Sequence, residues 1–243
     1  MVTLYEAAGR NYREVEKALA QVERSVAAAI RRNDESTVDA LTRVQLLVAS
    51  VKAEARLMKI VYTPRGLTGT ERSRVLAEDT ALGRWGAAID AAFARHYRVP
   101  KGEPFADALD HDVLAKHSTL HELLTNELDA LILLRNKLAH GQWRYPFNAA
   151  LTGIESTAMR ALSAEDSLTI RYRDRLISQL GNIVVDLVSS AAGFESRFNE
   201  YFVKIRRYRK ALEQADFEQW ALRLRATKVA VARIAPASTP AAN

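Results

Sequence analysis

The sequence predicts an all-α protein, because its composition favours helices and its apolar residues recur at helical spacing. Only 10 glycines and 6 prolines occur among 243 residues, whereas alanine, leucine, arginine and glutamate are abundant. Apolar residues make up 48% of the chain, as in a packed globular protein. Cysteine is absent, which excludes disulfide scaffolds, cysteine nucleophiles and thiolate metal sites. We therefore expect an antiparallel helical bundle.

The first two predicted helices form a hairpin. Apolar residues spaced three and four apart run over 4–29, and a second such series runs over 41–62. A polar break separates them, where Asp34 or Ser36 can cap the second helix, and Pro64 stops that helix. The heptad-like spacing of both helices also favours a homodimer.

The middle of the chain is predicted to alternate helices with irregular segments. A third helix is expected over 70–96, whereas residues 98–117 lack a sustained period and are expected to form a loop with at most one helical turn. A fourth helix starts near Ser118 and ends at Gly141, a residue suited to a helix C-terminus. Two apolar runs separated by a glycine then predict a small β-hairpin insertion over about 143–165, directly after the fourth helix.

The C-terminal part is predicted to complete the bundle and to extend beyond it. Helical spacing returns over 172–187 and 198–212, so that the bundle spans residues 1–212. The last bundle helix is expected to continue past Trp220, as a basic helical extension over 213–234. Residues 235–243, rich in alanine, proline and serine, are expected to be a disordered tail.

The net charge of +6 comes from the C-terminal segment. From Lys204 onward nine basic residues stand against three acidic ones, whereas residues 1–203 carry 26 of each sign. Clustered positive charge attracts phosphate groups, although a solvated surface without a ligand has the same composition. The candidate RNA contacts in this segment are Arg206, Arg207, Arg209 and Lys210.

The sequence shows no sign of membrane insertion or of several common enzyme classes. No apolar run approaches the ~20 residues that span a bilayer, and the N-terminal residues do not resemble a signal peptide. Phosphate-loop, dinucleotide-binding and serine-hydrolase motifs are missing. We therefore expect a cytoplasmic protein with no membrane partner.

One segment concentrates polar chemistry at the end of an apolar helix. Residues 133–141 read LLRNKLAHG. Because an α-helix advances ~100° per residue, Arg135 and His140 diverge by ~140° on an ideal helix, whereas Asn136 and His140 share a face with Asp129 nearby. Arg135 and His140 can therefore meet only if the helix end distorts or if a second copy of the motif faces the first.

The run Arg135-Asn136-Lys137-Leu138-Ala139-His140 resembles the signature of the HEPN superfamily (higher eukaryotes and prokaryotes nucleotide-binding domain). That signature is an arginine, often followed by a polar residue, with a histidine four to six residues later near the end of a bundle helix. The helix order over most of residues 1–212 is similar as well. The resemblance implies a dimeric, metal-independent endoribonuclease without a cofactor. It also implies RNA as substrate and, in toxin–antitoxin or anti-phage defence settings, an antitoxin or other defence-system partner.

The resemblance implies a role for each polar residue of the motif. The RNA 2′-hydroxyl attacks the neighbouring phosphate and leaves a 2′,3′-cyclic phosphate. His140 transfers the proton, since an ordinary imidazole titrates near pH ~6.5, and Arg135 binds the phosphate. Asn136 orients one of these two groups, Asp129 orients His140, and Lys137 contacts RNA.

Two interpretations without catalysis remain open. The chain can be an inactive HEPN-like protein that binds RNA or acts as an adaptor. It can also be a helical interaction scaffold, in which Arg135 pairs with a neighbouring helix and His140 stabilises a helix C-terminus as a cation. Gln142 stands where many HEPN toxins carry a tyrosine that their antitoxin modifies, so that form of regulation is not implied.

Two histidines upstream of the motif are four residues apart. His117 and His121 can share a metal ion if their segment is helical. Glu122 follows the second histidine instead of the first, so the order of a zinc protease is absent. A solvated loop is the favoured interpretation, and the sequence predicts no metal site.

Overall fold

A computed structural model describes residues 1–234, and every regular element within them is a helix. The all-α prediction is thereby confirmed. Helices α1 (Leu4–Arg32) and α2 (Glu35–Val61) pack along each other after a two-residue turn. Of the two candidate caps, Asp34 and Ser36, Asp34 caps α2, because its carboxylate accepts a hydrogen bond of 3.1 Å from the backbone N–H of Thr37.

The single helix predicted over 70–96 is wrong. The chain forms two helices there, α3 (Gly69–Ala77) and α4 (Ala81–His96). The break arises because Thr80 adopts an extended backbone and its hydroxyl accepts a hydrogen bond of 2.9 Å from the N–H of Gly83, which starts α4.

The loop predicted over 98–117 is also wrong in its second half. The short helix α5 (Phe105–Ala108) agrees with the single helical turn allowed there, but α6 (His111–Leu123) begins well before the expected start near Ser118. The early turns of α6 form because Val113 and Leu114 pack against the core. Helix α6 continues through one π-helical turn, Leu124–Leu128, into α7 (Asp129–Ala139), which carries the Arg135–His140 motif.

The β-hairpin predicted over about 143–165 is not formed, and no strand occurs within residues 1–234. Phe147 and Ile154 make one isolated antiparallel bridge. The run expected as the second strand instead lies in α8 (Ser156–Ala164), where Ala158 and Leu162 are buried. Residues four apart lie on one face of a helix, so Ala158 and Leu162 are buried on the same side of α8.

The C-terminal helices are α9 (Ser167–Ser189), α10 (Ala191–Glu213) and α11 (Phe217–Ile234). The last predicted helix was expected to continue past Trp220, but the chain breaks it at 214–216. Ala221 of α11 is buried against Val26 and Ile30 of α1. The tail predicted over 235–243 lies outside the described residues.

The main core lies between α2, α4, α7, α9 and α10, and its largest fully buried side chains are Trp85, Phe93 and Phe194. This core fixes α7 against α2, so that the motif helix has a defined neighbour. Within residues 1–234, no helix combines the length and the apolar character that crossing a bilayer requires.

Candidate functional site

Helix α7 keeps regular geometry up to its end, where a glycine turns the chain away. The backbone N–H of Gln142 donates to the carbonyl of Lys137, and that of Gly141 donates to the carbonyl of Leu138, both at 3.0 Å. Gly141 has a φ of +77°, which completes a Schellman ending. The helix end therefore does not distort, and within one chain Arg135 and His140 keep the ~140° divergence of an ideal helix.

A surface groove of about 530 Å³ lies between α2, the start of α4 and α7. Three of the four predicted catalytic residues line it, namely Asp129, Arg135 and Asn136. His140 does not line the groove, and its side chain is exposed at the C-terminal end of α7. One chain thus brings the arginine, the asparagine and the aspartate together and leaves the histidine apart.

The guanidinium of Arg135 forms an ion pair with the carboxylate of Glu54 on α2. Both side chains are partly exposed, at 24% and 36% respectively. Sequence analysis missed Glu54, since no local pattern links residues that lie on different helices and are this far apart in the chain. The ion pair holds Arg135 at the groove wall.

The charged lining of the groove is close to balanced. Carboxylates of Glu54, Asp79 and Asp129 stand against the guanidiniums of Arg84 and Arg135. In one chain the groove is thus not a strongly positive site, and phosphate recognition there depends on Arg135 exchanging Glu54 for another anion.

Lys137 is engaged within the chain rather than free for RNA. Its ammonium group lies 2.7 Å from a carboxylate oxygen of Glu155 and donates to the carbonyl of Phe147 at 2.5 Å. Only 15% of the side chain is exposed. Lys137 therefore fastens the segment after the motif to α7.

The segment that follows His140 in the chain carries three exposed aromatic residues. The rings of Trp143, Tyr145 and Phe147 are exposed by 37%, 49% and 42%. The indole of Trp143 donates a hydrogen bond of 3.0 Å to the carbonyl of Leu138, which anchors the segment to the end of α7. Exposed aromatic groups of this kind form contacts with bases or with another protein chain.

The four basic residues predicted to contact RNA lie on α10 and not at the groove. Arg206, Arg207 and Lys210 are exposed and Arg209 is half-buried. Within residues 1–234 none of the four forms an ion pair, and the guanidinium of Arg206 lies over the ring of Phe202 at 5.2 Å. Their charges are thus available to an external partner.

A second polar cluster joins α4 to α6. His117 and His121 donate hydrogen bonds of 2.7 Å and 2.8 Å to the same carboxylate oxygen of Asp90. Burial raises the pKa of Asp90, but the hydrogen bonds and positive charge of the two imidazoles outweigh it and lower the pKa to about 2. Sequence analysis missed Asp90; the spacing of the two histidines was the available signal.

Comparison with known proteins assigns no family. The chain matches no protein-family model, and neither curated proteins nor solved structures give a significant match. The HEPN resemblance therefore rests on the motif of residues 135–140 and on the helix order.

Proposed function

We propose that the chain is a metal-independent endoribonuclease of HEPN type that acts as a homodimer. One observation carries this proposal: α7 directs Arg135 and Asn136 into a groove and ends at His140, whose imidazole is exposed. One helix thus presents to solvent both a phosphate-binding group and an acid–base group. These are the two functions that RNA cleavage without a metal requires.

The reaction follows from the chemistry of these side chains. An imidazole of His140 accepts the proton of the RNA 2′-hydroxyl, and the 2′-oxygen forms a bond to the adjacent phosphorus. The bond from phosphorus to the 5′-oxygen breaks, and the leaving oxygen takes its proton from the imidazolium of His140 that the first transfer formed. Arg135 binds the non-bridging oxygens, where negative charge grows in the transition state. Acid–base assistance of this kind contributes ~10²–10⁴-fold in rate.

In the proposed homodimer, a second copy of the chain brings a histidine to the phosphate that Arg135 binds. Because Arg135 and His140 diverge along one helix, the arginine of one copy and the histidine of the other can face the same phosphate. The exposed aromatic segment that follows His140 supports contact between the copies, since apolar surface of this kind favours association. The proposed setting is a toxin–antitoxin or anti-phage defence system, which rests on the HEPN resemblance.

Cleavage of mixed RNA in the presence of EDTA tests the proposal. The wild type is expected to produce fragments that end in 2′,3′-cyclic phosphate, and His140→Ala is expected to lose this activity. His111→Ala is the matched control, because that histidine is 97% exposed at the start of α6. A wild type without cleavage, or equal cleavage by His140→Ala, contradicts the proposal.

A second candidate is a protein that binds RNA or a partner without cutting. The Arg135–Glu54 ion pair favours it, since the arginine already has an anionic partner in the free chain. RNA that is bound by α10 but remains intact in the same assay supports this second candidate.

A further inference from the structure

The cluster of Asp90, His117 and His121 has the composition and geometry of a metal site. The two histidines lie one helical turn apart on α6, and the aspartate faces them from α4. One ligand atom from each of the three residues lies within 4.8 Å of the other two. The three groups therefore converge on one point between two helices.

Packing against the core holds the two imidazoles in place independently of Asp90. The ring of His117 lies 5.0 Å from that of Phe93 in an edge contact and 4.5 Å from that of Phe105. His121 lies against the backbone of α4 at Gly86, where an added Cβ would come 3.5 Å from its Cε1 atom. Histidine side chains fixed in this way lose little freedom when they bind an ion.

The donor set is one that zinc prefers. Two imidazole nitrogens and one carboxylate oxygen match three-ligand zinc sites, in which water occupies the fourth position. Ligand atoms around tetrahedral zinc lie ~3.3 Å apart, given metal–ligand bonds of about 2.0 Å. The present distances of 2.7 Å and 2.8 Å from each Nε2 to Asp90 thus need to lengthen by only about half an ångström, which a small side-chain rotation provides.

The site is open on one side. The side chains of Asp90 and His121 are 45% and 35% exposed, whereas that of His117 is 13% exposed. Asp90 also lines a surface groove of about 560 Å³ between α3, α4 and the segment that precedes α5. An ion can therefore enter from solvent and keep a water ligand on the groove side.

We propose that Asp90, His117 and His121 bind one zinc ion, which links α4 to α6 and retains one exchangeable water. Each imidazole binds the metal through Nε2 in its neutral form with its proton on Nδ1, so an imidazolium must release one proton and binding weakens as the pH falls. The site is separate from the proposed nuclease, since His121 precedes Arg135 by 14 residues of one continuous helical segment, or ~21 Å at 1.5 Å per residue.

Titration of the full chain, freed of metal with EDTA and dialysed, tests the zinc site. The wild type is expected to bind one zinc ion per chain and to take up cobalt with the strong visible absorption of tetrahedral coordination. His121→Gln and Asp90→Asn are expected to lose zinc affinity by at least ~100-fold, more than the loss of an outer-shell partner causes. His111→Gln, on the same helix, is expected to bind zinc as the wild type does.

Thermal unfolding provides a second readout of zinc binding. Zinc is expected to raise the Tm of the wild type and of His111→Gln but not that of His121→Gln, because a ligand stabilises only the state that binds it. No zinc binding by the wild type, or equal binding by His121→Gln, overturns the proposal. Loss of RNA cleavage leaves these outcomes unchanged, so the two proposals fail independently.

Discussion

At the scale of single residues, the ion pair with Glu54 occupies the guanidinium of Arg135, the group proposed to bind phosphate. The guanidinium is fixed by a carboxylate of the neighbouring helix, and its Nε atom is buried without a hydrogen-bond acceptor within the described chain. A phosphate that displaces Glu54 gains two parallel N–H donors. The ion pair therefore competes with RNA for the same side chain.

Glu54→Gln is expected to tighten RNA binding by up to about fivefold, since a partly exposed ion pair contributes at most ~1 kcal/mol. Filter binding with a short RNA measures the change. Asp79→Asn is the matched control, because it removes the same charge from the groove without contacting Arg135. Equal effects of the two variants contradict a specific competition and indicate a general charge effect.

His96 predicts a dependence of stability on pH. Burial lowers the pKa of His96, Glu195 opposes this, and Lys116 and Arg95 lower the pKa further. The unfolded chain therefore takes up a proton at higher pH than the folded chain. As the pH falls below ~6.5, protonation of His96 favours the unfolded chain, and the free energy of unfolding decreases.

His96→Gln removes the group whose protonation lowers the stability. Urea unfolding at pH 7.5 and at pH 5 is expected to show that the stability of the variant, relative to wild type, improves at the lower pH. His111→Gln should leave the pH dependence of the wild type unchanged, since that histidine is exposed. A relative stability of His96→Gln that is the same at both pH values contradicts the assignment.

At the scale of elements, the end of α7 determines where His140 is placed. Gly141 occupies the left-handed region, and nothing lies within 4 Å of a Cβ added there. The position therefore requires glycine for its backbone conformation and not for space. The direction of the chain after the motif, and with it the aromatic segment, depends on this one residue.

Gly141→Ala is expected to lower the free energy of unfolding by ~1–2 kcal/mol, the strain of a left-handed alanine. Urea denaturation measures the loss. Gly69→Ala at the start of α3 is the control, because an added Cβ there also meets nothing within 4 Å and its φ is not positive. A loss for Gly141→Ala no greater than that for Gly69→Ala contradicts the account of this helix end.

The spacing of apolar residues predicted which segments are helical better than it predicted where each helix begins and ends. The hairpin of α1 and α2 and the cap at Asp34 follow from local patterns, and so does the glycine ending of α7. The early turns of α6 were missed because Val113 and Leu114 are helical through contact with the core, not through a long amphipathic series. The segment of α8 was assigned to a strand because a short apolar run has no clear period.

At the scale of the whole molecule, the candidate groups lie in three places. The motif groove is on α7, the Asp90 cluster bridges α4 and α6, and the basic residues lie on α10. Sequence identified the motif and the basic segment because their residues are close in the chain. It could not identify Glu54 or Asp90, since packing of distant helices alone brings these two residues to Arg135 and to the histidines.

The exposed charge of α10 predicts salt-dependent RNA binding. Replacing Arg206, Arg207 and Lys210 together by glutamine is expected to reduce the slope of log affinity against log salt by about 2, at ~0.7 per lost contact with single-stranded RNA. The control is the triple glutamine variant of the exposed α1 residues Arg10, Arg13 and Lys17, which changes the net charge equally. Equal slopes for the two variants contradict a role of α10 in RNA contact.

A cleavage assay on mixed variants tests most directly whether Arg135 and His140 of two copies form one site. Arg135→Ala and His140→Ala are expected to be inactive alone. After mixing and exchange of subunits, half of the dimers combine both variants and hold one intact site of two, so activity returns to about a quarter of wild type. No recovery in dimers shown to have exchanged, or a wild type that does not cut RNA, contradicts the account.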